Sequence, residues 1–149
     1  MIARVLVDTN VLVYSYDRGS VEKQHRAVEA LAALASGRQG AISTQVLGEF
    51  VVTVTRKLRD PLSVEEALGQ VERHLSAWTV LDITREVVRE AVRGVRRYQL
   101  HYWDAQLWAV AHLHRIPVVF TEDFSDGAAL EGVRFVNPLT QGFRAADWI

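Results

Sequence analysis

Short apolar runs alternate with longer amphipathic segments along the whole chain, and this alternation constrains the fold more than any other feature. The runs are rich in β-branched side chains, which is typical of buried strands. We predict strands at residues 3–7, 40–42, 79–83, 118–120 and 133–136. Because strands separated by helical segments form βαβ units, the pattern predicts an α/β fold in which helices cover a parallel sheet.

Helical periodicity runs over residues 21–36, 46–58, 67–75, 87–95 and 103–114. Gly37 is placed to end the first of these helices, and Ser43 or Thr44 to begin the second. A Val/Thr-rich run inside that second segment leaves a strand open as the alternative. Ser63 and Glu66 have the spacing of a capping box, which indicates the start of the third helix.

The size and composition of the chain exclude several classes of protein. With 149 residues the chain has the size of one domain, which we take to be residues 1–149. The absence of cysteine excludes a disulfide scaffold, a cysteine zinc site and a cysteine nucleophile. No apolar run approaches the ~20 residues of a membrane helix, and the first run meets Asp8 too soon for a signal peptide. We therefore expect a cytoplasmic protein with no membrane partner.

Acidic residues come from separate segments of the chain, and three of them follow predicted strands. Asp8 comes directly after the first strand, and Asp123 and Asp126 follow the fourth. Glu49 lies in the helix after the second strand, and Asp104 opens the last predicted helix. Ligands of parallel sheets bind beyond the carboxyl ends of the strands, so we expect these acids to converge there.

Such a cluster of carboxylates suggests a metal-dependent reaction. Two carboxylates ~4 Å apart repel each other by several kcal/mol at an intermediate dielectric, and a divalent cation removes this cost. Mg²⁺ and Mn²⁺ prefer oxygen ligands, and water bound to them can attack a phosphodiester. The alternative is a non-catalytic protein- or RNA-binding module in which the acids are helix caps, turn residues and solvated side chains.

Other chemistries have less support in the sequence. His112 and His114 are two residues apart on a predicted helix and point to different faces, which argues against a paired histidine metal site. Asp8 also resembles the nucleophile of aspartyl phosphatases, but Asn10 stands where that family needs a second aspartate. The chain has no phosphate-binding Walker loop and no glycine-rich dinucleotide turn.

Four sequence blocks, in order from one end of the chain to the other, resemble PIN domains and in particular the VapC-type toxin ribonucleases. The blocks are VLVDTNVLVY at 5–14, STQVLGEF at 43–50, YWDA at 102–105 and TEDFSDG at 121–127, followed by Asn137-Pro138. The resemblance implies a three-layer α/β/α fold with a central, mainly parallel sheet. It also implies cleavage of RNA that depends on Mg²⁺ or Mn²⁺.

The resemblance also assigns roles to the acids. Asp8, Glu49, Asp104 and Asp123 match the four acidic positions of the family and would be catalytic. Among these, the three aspartates would hold the metal, and Asp126 matches a further acid that some members use as a ligand. Glu49 would bind a second metal or orient the attacking water. The polar positions beside the acids are matched by Asn10 and Thr121.

The resemblance further implies an RNA substrate, a cognate antitoxin protein and a homodimer. The chain has four tryptophans, and tryptophan is enriched at interfaces: Trp78, Trp103, Trp108 and Trp148. This number favours the dimer, although packing of all four inside the protein remains an alternative.

Arginines are concentrated on one predicted helix. We predict that Arg93, Arg96 and Arg97 contact RNA phosphates, with an ordinary solvated helix face as the alternative. The formal net charge of −1 does not exclude RNA, because two bound divalent cations would make the total positive.

Overall fold

Six strands form one sheet in the computed structural model, which describes residues 3–148. The strands are β1 (Val5–Val7), β2 (Gly40–Ser43), β3 (Thr79–Leu81), β4 (Val118–Phe120), β5 (Ala129–Leu130) and β6 (Val133–Val136). Their order across the sheet is β3-β2-β1-β4-β6-β5. All neighbours are parallel except β5 and β6, which are antiparallel. The predicted mainly parallel sheet is therefore confirmed.

Helices occupy both faces of this sheet. They are α1 (Thr9–Tyr14), α2 (Val21–Gly37), α3 (Thr44–Arg56), α4 (Val64–Ala77), α5 (Arg85–Tyr98) and α6 (Tyr102–Leu113), with a 3₁₀ helix at Ala145–Trp148. The chain moves from β1 through β2 to β3 in one direction and then returns to β4 in the other. Because parallel crossovers are right-handed, α1 to α4 lie on one face and α5 and α6 on the opposite face. This arrangement is the expected three-layer α/β/α fold.

Two central strands pass into helices without an intervening loop. Asp8 follows β1 and is the N-cap of α1, and Ser43 ends β2 and is the N-cap of α3. The Ser43 hydroxyl accepts a hydrogen bond from the N–H of Val46 at 3.1 Å. Both strands are completely buried, so the first residues of these two helices are placed by the core itself.

The element boundaries agree with the sequence-based predictions at most positions. The strands at 118–120 and 133–136 are confirmed, as is the capping box of Ser63 and Glu66. The Val/Thr run is part of helix α3: Val54 is buried on the apolar face that begins with Val46, while Val51 and Val52 are exposed. Gly37 is not the C-cap of α2: it is the last helical residue, and the C-cap is Arg38, which adopts the left-handed conformation with φ of 52°.

The four tryptophans have different environments. Trp108 is completely buried in α6, and Trp78 and Trp148 are half-buried against the core. Trp103 is 56% exposed. Core packing therefore accounts for most of the tryptophan content, and the homodimer stays a prediction. Within residues 3–148, each helix is too short or too polar to cross a lipid bilayer.

Candidate active site

Asp8 stands at the carboxyl end of the central strand β1 and is held by three donors. Its Oδ1 accepts a hydrogen bond from the backbone N–H of Thr9 at 2.7 Å. Its Oδ2 accepts one from the Thr121 hydroxyl at 2.8 Å and one from the Asn10 amide at 3.3 Å. Asp8 is thus a helix cap, as the alternative explanation required, and also part of a larger polar site.

Thr121 connects Asp8 with the loop that carries Asp123. It follows β4, which lies beside β1 in parallel with Val7 opposite Phe120. The Thr121 side chain is buried, and its hydroxyl accepts a hydrogen bond of 3.1 Å from the backbone N–H of Asp123 while it donates to Asp8. The carboxyl ends of β1 and β4 thereby bring Asp8 and Asp123 to the same edge of the sheet.

Glu49 reaches this edge from α3, and both of its oxygens accept hydrogen bonds. Oε2 accepts from the Thr9 hydroxyl at 3.0 Å, and Oε1 accepts from the side-chain amide of Gln45 one turn earlier. Its side chain is exposed on the surface of the helix, where an isolated glutamate would be free to move. These two contacts hold the carboxylate toward Asp8.

A hydrogen-bonded chain continues from Glu49 to α6, and we call it the glutamine relay: Gln45, Gln106 and Tyr102. The Gln106 amide donates to Oε1 of Gln45, and the Tyr102 hydroxyl donates to Oε1 of Gln106 at 2.8 Å. A carboxylate only accepts hydrogen bonds, so the NH₂ group of Gln45 must face Glu49 and its oxygen must face Gln106. Gln106 is oriented in the same sense, with its NH₂ group toward Gln45 and its oxygen toward Tyr102. The relay therefore joins α3 to the first turn of α6, where Asp104 lies.

A surface cavity of about 400 Å³, which we call the acidic cavity, opens at this edge of the sheet. The carboxylates of Asp8, Glu49 and Asp123 line it, and Asp17 and Glu122 stand on its walls. Asp104 is outside its lining, but the charges of Asp123 and Glu49 both act on it. The structure therefore places the four predicted catalytic acids in one neighbourhood.

The electrostatic effect of this arrangement is visible in the pKa of two aspartates. Burial raises the pKa of Asp8 to about 7, the hydrogen bonds from Thr121 and Thr9 oppose this shift, and the charges of Asp123 and Glu49 add to it. Burial also raises the pKa of Asp104, again with repulsion from Asp123 and Glu49. Ionising these aspartates is thus unfavourable because of burial and mutual repulsion, and a bound divalent cation would offset both effects.

Asp126, predicted as a further metal ligand, is not brought into the acidic cavity. Its side chain is exposed, and Oδ1 accepts a hydrogen bond of 2.9 Å from the backbone N–H of Asn137. This contact ties the loop after β4 to the end of β6. It gives Asp126 a structural role in this loop.

The oxygen ligands in and beside the cavity have the chemistry that a divalent cation needs. Asp8 and Asp123 supply hard carboxylate oxygens from the lining, and Asp104 supplies them from outside it. The buried Oδ1 of Asn10 has no hydrogen-bond partner within residues 3–148. In that same range, no three acidic or histidine side chains stand close enough together to enclose a metal ion. The residues therefore fit a cation in charge and in oxygen chemistry, and their side chains are not drawn together around a common point.

The sequence matches the profile of the PIN domain over residues 5–125. This match covers most of the chain and includes the acids Asp8, Glu49, Asp104 and Asp123. The chain belongs to the PIN domain family. A search of curated proteins finds no significant match.

Solved structures of a toxin and of toxin–antitoxin complexes resemble this PIN domain along nearly its whole length. A toxin–antitoxin complex from Klebsiella pneumoniae is 27% identical, with a TM-score of 0.67 over 90% of this chain and 97% of that one. The Sarcin-Ricin loop cleaving toxin VapC20 from Mycobacterium tuberculosis is 21% identical, with a TM-score of 0.64 over 87% and 98%. DNA-bound VapBC from Salmonella typhimurium is 19% identical, with a TM-score of 0.64 over 91% and 98%. The last two likenesses concern the fold alone.

Arg93 of this PIN domain is occupied by contacts within the protein. Its guanidinium donates two hydrogen bonds to Glu131, at 2.9 and 3.0 Å, and a third to Glu90. It also lies 5.3 Å from the ring centre of the buried Trp108. The prediction that Arg93 contacts phosphates therefore has no support here, whereas Arg96 and Arg97 are exposed at the end of α5.

Several residues that shape the PIN-domain site were not singled out by the sequence. Thr9 and Gln45 both hold Glu49, and the i, i+4 spacing of Gln45 and Glu49 on one helix was an available signal. Gln106 is buried and contacts Gln45 from the other side of the sheet edge, so no local pattern could reveal it. Lys23 forms an ion pair with Glu122 at 3.0 Å on the wall of the acidic cavity.

Proposed function

We propose that this PIN domain is a metal-dependent endoribonuclease and the toxin of a type II toxin–antitoxin pair. The observation that carries the proposal is the convergence of Asp8, Glu49 and Asp123 on one cavity, with Asp104 in the same electrostatic field. Membership of the PIN domain family and the likeness to toxin structures support it. If the acids were only helix caps and turn residues, there would be no reason for four carboxylates from four segments to lie near one edge of the sheet.

The proposed roles follow from the contacts of each acid. Asp8, Asp104 and Asp123 would hold Mg²⁺ or Mn²⁺, which supplies Lewis acidity and water of lowered pKa for phosphodiester hydrolysis. Thr121 holds Asp8 with its oxygens toward the cavity. Glu49, held by Thr9 and Gln45, would orient the attacking water or contribute to a second metal site.

Two further observations support RNA as the substrate. Lys57 lines the acidic cavity and is exposed, so its ammonium group can bind an RNA phosphate next to the carboxylates. Arg96 and Arg97 extend the available positive charge at the end of α5. We propose that the reaction takes place in the cytoplasm.

The test is cleavage of total cellular RNA by protein that is free of contaminating nucleases. We expect cleavage with Mg²⁺ or Mn²⁺ and none with EDTA. Asp123→Asn should abolish it, and Asp126→Asn, a matched change in the same loop but outside the cavity, should leave it nearly unchanged. Absence of metal-dependent cleavage from every RNA pool would favour the non-catalytic binding module.

The proposed antitoxin has its own test. One structural neighbour of this chain belongs to a toxin–antitoxin complex, which supports a protein partner. Expression of this chain alone should arrest bacterial growth, and co-expression of a short adjacent reading frame should relieve the arrest through a stable complex. Light scattering at tens of micromolar tests the proposed homodimer, and a strict monomer would contradict it.

A further inference from the structure

A second cavity, which we call the Trp103 groove, adjoins the acidic cavity. Its volume is about 560 Å³, and its lining includes Gly48 and Val52 of α3 and Trp103 of α6. The two cavities share Glu49, Thr53 and Lys57. A molecule in the Trp103 groove would therefore lie directly beside the proposed catalytic carboxylates.

The floor of the groove contains a glycine that internal packing does not explain. Gly48 lies in the middle of α3, where glycine destabilises a helix relative to alanine. A Cβ atom at this position would meet no other atom within 4 Å. The missing side chain therefore does not make room for another part of the chain, and it leaves the floor of the groove open to a ligand.

The walls of the groove are apolar and exposed. Trp103 is 56% exposed and Val52 is 48% exposed. The Trp103 ring meets Tyr102 edge-on, with ring centres 5.1 Å apart and planes at 81°, and Tyr102 is in turn anchored by its hydrogen bond to Gln106. The indole is thus held in a defined orientation while much of its surface remains available for stacking.

A positively charged side chain lies between the two cavities. Lys57 is exposed at the C-terminal end of α3, and it forms no ion pair within residues 3–148. An apolar peptide segment could use the Trp103 wall but would leave this charge unmatched. A nucleotide matches both features, because its base stacks on aromatic rings and its phosphate pairs with lysine.

We propose that the Trp103 groove is a nucleotide subsite that takes one unpaired base of the RNA next to the cleaved bond. The base stacks on Trp103 over the open floor at Gly48, and Lys57 contacts the backbone phosphate between this base and the acidic cavity. The proposal rests on the proposed ribonuclease function and adds a requirement that the RNA be single-stranded at the cleavage point.

The direct test uses adenosine and uridine 5′-monophosphate, which contain no phosphodiester bond and report binding whether or not the protein is a nuclease. We expect a saturable shift of one indole N–H resonance in the NMR spectrum, the one that is lost in Trp103→Phe. The other three indole signals should remain in place. Lys57→Gln should weaken the binding of both mononucleotides several-fold.

Two matched glycine variants separate a blocked groove from a disturbed helix. Gly48→Leu should fill the floor, abolish the mononucleotide response and raise KM for RNA about tenfold, with kcat nearly unchanged. Gly69→Leu places the same side chain in the middle of α4, where a Cβ also meets open space and which is away from the groove. It should behave like the parent chain in both assays.

The outcomes also separate this subsite from the proposed function. Metal-dependent cleavage with no mononucleotide response and an unchanged KM in Gly48→Leu would overturn the subsite and leave the ribonuclease standing. Mononucleotide binding that depends on Gly48, in a protein that cleaves no RNA, would support the subsite and reject the ribonuclease. A Gly48→Leu variant that loses only its protein partner or its self-association would overturn the subsite in favour of a protein-binding groove.

Discussion

The hydroxyl of Thr121 lies 2.8 Å from Oδ2 of Asp8, and this one buried oxygen sets the position of two acids. It donates to the carboxylate of Asp8 and accepts from the backbone of Asp123. An oxygen with both bonds satisfied has little freedom to rotate, so the separation of the two carboxylates depends on the strand pairing beneath Thr121.

Thr121→Val keeps the shape of this side chain and removes both hydrogen bonds. We expect cleavage to fall by about 10–100-fold, as for other residues that orient metal ligands. The free energy of unfolding should fall by about 1–3 kcal/mol, because the N–H of Asp123 loses its acceptor. Thr121→Ser retains the hydroxyl and should keep most of the activity, and equal losses in the two variants would contradict the role given to the hydroxyl.

The pKa of Asp8 makes the metal-free protein sensitive to pH. With a folded pKa of about 7 against an ordinary 3.8, the folded state keeps a proton that the unfolded state has already released. The free energy of unfolding in EDTA should therefore fall as pH rises from about 4 to 7. Asp8→Asn resembles the protonated side chain and should remove this slope, so that the variant exceeds its parent near pH 7 by more than about 1 kcal/mol.

Urea unfolding at several pH values measures this effect. His74 contributes in the opposite direction, because burial lowers its pKa and stability is lost as pH falls through its titration. The difference between Asp8→Asn and the parent cancels that contribution. A difference that does not change between pH 4.5 and 7 would show that Asp8 is not perturbed.

Asp104→Asn tests the metal site through stability. The Asp104 side chain accepts no hydrogen bond within residues 3–148, and its pKa is raised by burial and by Asp123, so loss of its charge should not destabilise the metal-free protein. With Mn²⁺ at a hundredfold excess over Kd, the parent should gain about 2.7 kcal/mol and the variant far less. Thermal unfolding with and without Mn²⁺ measures both values, and equal increases in Tm would remove Asp104 from the site.

The glutamine relay predicts a coupling between Gln106 and Glu49. Gln106→Leu interrupts the relay, so we expect kcat to fall about tenfold with little change in KM. In a Glu49→Gln background the same change should have almost no further effect, because Gln106 acts through the orientation of that carboxylate. Tyr102→Phe should reproduce part of the loss, and independent, multiplicative losses in the double variant would contradict the relay.

The arginines of α5 should divide into two groups. Arg93→Ala should lower the free energy of unfolding by about 1 kcal/mol, since it loses the paired contact with Glu131, and should leave the salt dependence of RNA binding unchanged. The double variant Arg96→Ala/Arg97→Ala should leave stability intact and reduce the salt slope by about 0.7 for each lost phosphate contact. Unfolding curves and binding titrations at several salt concentrations distinguish the two groups.

The sequence predicted those parts of the fold in which local chemistry agrees with tertiary packing. The strand at 118–120 and the capping box of Ser63 and Glu66 are confirmed because each depends on a short, unambiguous pattern. The strand predicted at 79–83 is shorter, ending at Leu81, because the chain then turns toward the Thr84 cap of α5. The two-residue strand β5 exists only as the partner of β6, and no periodicity marks so short a segment.

The positions of Asp8 and Asp123 were predictable because these acids follow strands, whereas the residues that hold the acids in place were not. Asp8 and Asp123 could be located from the rule that parallel strands end at a common edge. The contact between Gln106 and Gln45 joins residues far apart in the chain, and the ion pair of Arg93 with Glu131 joins α5 to the turn before β6. Contacts between residues so far apart in the chain cannot be predicted from a local sequence pattern.

The pairing of β1 with β4 has a consequence for the synthesis of the protein. Asp8 leaves the ribosome well before its partners Thr121 and Asp123, since 113 positions of sequence separate it from Thr121. A nascent chain therefore carries three of the four acids without a formed site. If this PIN domain destroys RNA, the late arrival of β4 keeps each new copy harmless to the ribosome that is translating it until β4 and the loop after it have emerged.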